Sequence, residues 1–260
     1  MAPFPFEVYL IPALLAPVFL AWGANRFVDG ASALSFNLGM SPLLIGVLVM
    51  GFGTSLPEFL VSVISSAMGN SGLSLGNAYG SNIINIGVVL GLAAVMSPVI
   101  VRRHVVRREL PLLILATAVT AFFIMDLELS RSNGVTLLAL FLVIAIYLIR
   151  SSSSEPVKHE NADLQDEVGS RTLPLGKSIS YLVVGLAVIA LCAAALVWSA
   201  RGIVGNLGIS ELVVGVIVLA LGTSLPELVV IVVAAQRGEH QLALGNVIGS
   251  NLFNTLAVVG

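Results

Sequence analysis

Charge is what this 260-residue chain has least of. Asp, Glu, Lys and Arg make up 10% of it, against about 25% in an ordinary soluble domain. With 57% hydrophobic residues and a mean hydropathy of +1.03, that shortage excludes a soluble globular protein. It indicates a chain that crosses a membrane several times. Positive charge is not in excess either, and a net charge of −2 excludes a strongly basic nucleic-acid binder. Cysteine occurs once, at Cys192, so no disulfide can form within the chain, and the thiol reads as inert in an apolar helix. Histidine is limited to His104, His159 and His240, all read as solvated loop residues. The stretch from Met1 to Ala24 lacks a basic n-region and carries Pro12 and Pro17. It reads as a first membrane helix rather than a cleaved leader.

What is present is a series of apolar windows about 20 residues long. Eight are expected, near 5–25, 42–67, 74–100, 110–125, 133–149, 178–200, 210–235 and 242–260. Between the third and fourth lie Arg102, Arg103, Arg107 and Arg108, which place that link on the cytoplasmic side. Alternation then puts the amino terminus outside, with Arg26, the 151–177 segment and Arg237 inside. Ser151 to Lys177 opens with four serines and holds mixed charge, so it reads as a flexible cytoplasmic linker.

Inside the second window, Glu58 is the only charge, and it belongs to Gly53-Thr54-Ser55-Leu56-Pro57-Glu58. The same six residues return as Gly222-Thr223-Ser224-Leu225-Pro226-Glu227. Asn37–Gly91 aligns with Asn206–Gly260 without a gap, at a constant offset of 169. Such a match signals duplication. Five spans separate the copies, so the second is expected to run through the membrane in the opposite direction, as in many secondary transporters. This divides the chain into a five-helix repeat (1–150), the linker (151–177) and a second repeat (178–260). On the same offset, the second repeat falls about 59 residues, or two helices, short of the first. The expected fold is therefore an all-α polytopic membrane protein with inverted repeats, holding eight of ten transmembrane helices and truncated before the last two.

A carboxylate at mid-span costs about 2.5–3.5 kcal/mol on insertion scales. Pro57 and Pro226 each remove a helical N–H, freeing the carbonyls of Gly53 and Gly222. Irregular backbone at this depth is tolerated only in a buried or wet cavity. Ser55-x-x-Glu58 and Ser224-x-x-Glu227 also fit a capping box, yet Gln would serve that purpose at lower cost. Two facing carboxylates ~4 Å apart would repel by about 4 kcal/mol at an effective dielectric of 20, which a divalent cation, two monovalent ions or a proton removes. Hard cations prefer oxygen donors, and the absence of His and Cys from the motifs argues against zinc or copper.

A second repeated element runs Gly76-Asn77 to Asn85 and Gly245-Asn246 to Asn254. Ser81 and Asn85 stand four apart, as do Ser250 and Asn254, forming a polar stripe with candidate ligand roles. Asn77, Asn82, Asn246 and Asn251 read as structural, and Gly76 and Gly80 as points of close helix contact.

These paired motifs resemble the alpha repeats of the Ca2+:cation antiporter superfamily, and in particular the bacterial sodium/calcium exchanger-like proteins, over most of the chain from Gly23. The resemblance implies ion transport by antiport at a midplane site in the cytoplasmic (inner) membrane, with Ca2+ carried against Na+ by alternating access. It implies that Glu58 and Glu227 bind both ions in turn. Thr54 and Thr223 would offer carbonyls to Ca2+. Ser55, Ser81, Ser224 and Ser250 would line Na+ sites, with the carbonyls of Gly51 and Ala220. Characterised exchangers commonly carry Asp at one of the two positions held here by Asn85 and Asn254. No enzyme activity and no cofactor are expected; the partners are lipid and the transported ions. The alternatives are a cation/H+ exchanger of the same fold and a truncated, non-transporting membrane protein.

Overall fold

The computed structural model describes residues 5–69, 71–126, 128–152, 173–206 and 222–260. Every regular element among them is helical. In chain order these are α1 (Phe6–Leu38), α2 (Pro42–Thr54), α3 (Leu56–Ala67), α4 (Ser71–Met96), α5 (Leu110–Ile124), α6 (Arg131–Ser152), α7 (Leu175–Asn206), α8 (Leu225–Gln236) and α9 (His240–Phe253). Among the described residues, α1, α4, α6 and α7 are long and apolar enough to cross a membrane. The pair α2 and α3 passes the same test only when taken together, with a bend of 45° at the break between them, the geometry of a broken span or a re-entrant loop. The seventh apolar window falls partly on residues 207–221, outside the described residues, as does the central part of the expected linker, 153–172. The ends of that linker belong to α6 and α7 rather than to coil.

Helix α1 departs from the sequence expectation. It does not stop near residue 25 but runs to Leu38, where Gly39 closes it at φ 61°. Its 33 residues span about 50 Å, more than the roughly 30 Å of bilayer hydrocarbon. Charged residues past residue 25 find partners on other elements. Arg26 donates to the Tyr181 hydroxyl at 3.1 Å, and Arg237 donates to Asp29 at 2.6 Å and to Asn25. Helix α1 lies along α7 with almost no side-chain spacing at its glycines. A Cβ on Gly30 would stand 2.7 Å from the Leu182 nitrogen, and one on Gly185 2.7 Å from that of Phe27.

The sequence duplication is reproduced in local structure to the residue. Helices α3 and α8 have bounds that differ by 169 at both ends, as do Ser71–Ile84 and α9. A π-helical turn follows each of the latter, Asn85–Val89 and Asn254–Val258. Gly69 and Gly238 share a φ of 77°. The two copies interlock through α2 and α9, whose backbones touch. A Cβ on Gly46 would lie 2.7 Å from the Leu242 carbonyl, and one on Gly51 2.6 Å from the Ser250 nitrogen. The expected close-contact glycines, Gly76 and Gly80, meet no neighbour within 4 Å among the described residues. Close approach belongs to the α2–α9 crossing instead.

Burial is inverted relative to a water-soluble protein. Val95 is 84% exposed and Leu14 72%, while Glu58, Glu227, Asn85 and Asn254 are wholly buried. An apolar exterior around a polar centre is what lipid requires as solvent.

Candidate cation site

The site is built at the break between α2 and α3 and at its copy before α8. Ser55 adopts φ −84°, ψ 6°, and Ser224 φ −89°, ψ 4°. Pro57 and Pro226 sit in the first turn of the following helix, where the missing N–H is one that no helix would use. Each break preserves the next bond, Phe59 N–H to the Ser55 carbonyl and Leu228 N–H to that of Ser224, both 3.0 Å. The Gly53 carbonyl, which Pro57 deprives of its regular donor, takes an N–H of the turn at Ser55 instead.

The capping-box reading of these motifs does not hold. Neither Ser55 nor Ser224 makes a side-chain cap bond. The Ser55 hydroxyl donates to Glu227 Oε1 at 3.1 Å, across the two copies. A charged acceptor makes this bond stronger than a neutral one, so it prevails over local capping.

Glu58 and Glu227 are electrostatic neighbours. The hydroxyls of Ser81 and Thr223 lie alongside Glu58, and those of Thr54 and Ser55 alongside Glu227. Each acid is thus flanked by the threonine of the other copy's motif. Both Glu58 oxygens and Glu227 Oε2 are buried without a hydrogen-bond partner. So are Ser81 Oγ, Ser224 Oγ, Asn85 Oδ1 and both side-chain polar atoms of Asn254. Buried polar atoms are normally paired, and leaving one unpaired costs about 1–3 kcal/mol. These six residues all belong to the two pairs of matching motifs.

The remaining sequence candidates are arranged around this centre. Ser250 donates to the Gly51 carbonyl at 3.1 Å, which also receives the Ser55 N–H at 3.3 Å. Thr54 donates to Asn246 Oδ1 at 3.0 Å. Asn77, read as structural, holds the Glu58 carbonyl and the Ser62 hydroxyl, each at 3.0 Å. Asn82 donates to Thr255 Oγ1 at 2.9 Å. Ala220 lies outside the described residues. Asn246 and Asn251 hold the structural positions expected of them. Both are buried, and they orient Thr54 and Asn85 respectively.

Among the described residues the only other buried acid, Glu109, is paired with Arg108 at 2.8 Å. No three His, Cys, Asp or Glu side chains cluster among them. The centre therefore offers two carboxylates and a shell of neutral oxygens, the chemistry of a hard cation held reversibly.

The family profile described as "Sodium/calcium exchanger protein" matches residues 9–150 and 177–260. CaxA of Alkalimonas amylolytica is 40% identical over 256 residues, which cover 97% of this chain and 79% of CaxA. The inner membrane protein YrbG of Escherichia coli is 37% identical over 253 residues, covering 96% of this chain and 77% of YrbG. A solved structure of the sodium-calcium exchanger NCX_Mj, soaked with 2.5 mM Na+ and 10 mM Sr2+, matches with a TM-score of 0.84 at 35% identity. The match covers 98% of this chain and 82% of that one.

Proposed function

This chain belongs to the sodium/calcium exchanger protein family, and from that premise we propose that it exchanges Ca2+ for Na+ by alternating access. The observation that carries the reading is the pair of buried carboxylates, Glu58 and Glu227, three of whose four oxygens lack a protein hydrogen-bond partner at two matched helix breaks. Either one Ca2+ or Na+ ions neutralise them, so the two ions compete for one place. An occupied site loses its charge and can be enclosed in a medium of low dielectric; a bare one resists enclosure. That difference couples the two fluxes.

Ser55, Ser81, Ser224, Ser250, Asn85 and Asn254 complete the ligand shell, with the carbonyls of Thr54, Thr223, Gly51 and Ala220. Service by Gly51 requires the Ser250 hydroxyl to turn away from its carbonyl. The two repeats run in opposite directions through the inner membrane, with the amino terminus outside. Na+-gradient-driven 45Ca2+ uptake into proteoliposomes tests the reading. Uptake should be present in the parent chain and absent in Glu58→Gln. Equal uptake by both would sink the site, and uptake driven by a pH gradient without Na+ would move the assignment to H+.

A further inference from the structure

Inversion of the two copies makes the inner and outer halves of the molecule counterparts, yet their side chains do not match. We infer that Asn25, Asp29 and Ser32 on α1, with Arg237 and Glu239 after α8, form a latch. It holds the site closed to the inner face and parts once in each transport cycle. This rests on the alternating-access reading above and on the inner placement of the turn after α8.

The helices divide according to the contacts that join them. Helices α1 and α7 meet backbone to backbone at Gly23, Gly30 and Gly185, and α2 and α9 do so at Gly46, Gly51 and Gly245. Such pairs have no intervening side chain that could turn aside. The contact of α1 with α8 is of another kind. Val28, Ala31 and Leu34 share a buried apolar cluster with Val230, Ile231 and Ala234. Polar side chains close its end beyond the last turn of α8. Arg237 donates to Asp29 at 2.6 Å and also to Asn25, and Ser32 donates to Glu239 at 2.9 Å. Partly exposed ion pairs hold weakly, so a joint of this kind can open and close reversibly.

The offset of 169 gives the counterpart of each latch residue in the outer half. Met68 stands where Arg237 does, Trp198 where Asp29 does and Ala194 where Asn25 does. The ion pair therefore has no equivalent there. The helices between acid and turn differ in the same sense. After Glu227, α8 carries Ile231, Ala234 and Ala235, all buried, whereas after Glu58 α3 carries Ser62, Ser65 and Ser66. The inner half is thus apolar packing fastened by charge, and the outer half bears hydroxyls on the matching stretch. Where the halves are otherwise copies, a tie present on one side alone favours the state in which that side is shut.

In inverted membrane vesicles, which present the inner face to the medium, Ala235→Cys in a Cys192→Ala background is treated with a membrane-impermeant maleimide. Ala235 is buried two residues before Arg237, so labelling should be slow while the latch is intact. It should become about two- to fivefold faster in Asp29→Asn and in Arg237→Gln, the range over which a partly exposed ion pair shifts an equilibrium. Reversing the pair, Asp29→Arg with Arg237→Asp, should return the rate toward that of the intact latch. Equal rates with the latch intact and in both single variants overturn the inference.

Exchange of 45Ca2+ for unlabelled Ca2+ in proteoliposomes shows whether the contact parts during the cycle. Joining Asp29→Cys to Arg237→Cys with a short bis-methanethiosulfonate should stop that exchange, and reduction should restore it. Exchange that continues through the cross-link overturns the latch, because the contact is then a static strut. No driving ion is needed for this exchange. Its absence in the parent chain would overturn the proposed function, and the labelling rates would still decide the latch.

Discussion

Ser55 donates a hydrogen bond to Glu227 at 3.1 Å although 172 positions separate them in the chain. The first copy of the duplication thereby contributes to the acid of the second. Removing the hydroxyl in Ser55→Ala takes a donor from a buried carboxylate, and bonds to charged groups contribute about 1.5–3 kcal/mol. Ca2+ affinity should fall about tenfold or more, measured by 45Ca2+ binding at fixed Na+. An unchanged affinity would show that the bond leaves Glu227 indifferent.

Cation binding should also stabilise the fold. At a hundredfold excess over Kd a ligand adds about 2.7 kcal/mol. Thermal unfolding in detergent should therefore shift upward with Ca2+, and the shift should vanish in Glu58→Gln and in Glu227→Gln. A shift retained in both variants would place the binding site elsewhere.

The glycines separate into two classes that a stability measurement can distinguish. Gly51→Ala drives a methyl into backbone atoms of α9 at 2.6 Å, and overpacking of this kind costs typically 1–3 kcal/mol. Gly80→Ala meets nothing within 4 Å and replaces a helix-interior glycine, which favours the helix by roughly 0.5–1 kcal/mol. Melting temperatures should fall for the first and hold or rise for the second.

Arg237 ties the turn after α8 to α1 through Asp29 and Asn25. The pair is partly exposed, at 29% and 16%, and ion pairs of this kind contribute about 0.2–1 kcal/mol. In a double-mutant cycle of thermal unfolding, Asp29→Asn should cost an amount in that range. Arg237→Gln should cost more, because the bonds to Asn25 are lost as well, and added salt should reduce the coupling.

The duplicated local geometry was legible in the sequence because identical residues at a constant offset meet identical backbone constraints. Pro57 and Pro226 break the chain in the same way, and Gly69 and Gly238 turn it at the same φ. What the sequence concealed depends on partners distant in the chain. Arg26 read as a charge in the link after the first span, yet it and Asp29 lie within α1, bound to Tyr181 and Arg237. Ser55 read as a possible cap because a cap is a local pattern, whereas its acceptor is Glu227. Gly76 and Gly80 were indistinguishable by spacing from Gly245 and Gly249, and only the α2–α9 crossing separates them. The π-helical turns at Asn85 and Asn254 left no mark in the periodicity of the sequence.

The placing of hydroxyls beside the other copy's acid also bears on how the two halves can change over generations. A duplicated segment is ordinarily released from constraint, since one copy can drift while the other keeps the original task. Here each copy lends a hydroxyl neighbour to the other's acid, Thr223 to Glu58 and Thr54 and Ser55 to Glu227, so a change at one of these positions is felt at the acid of the other copy. The duplication supplies no spare, because neither motif surrounds its own acid without a hydroxyl from the other.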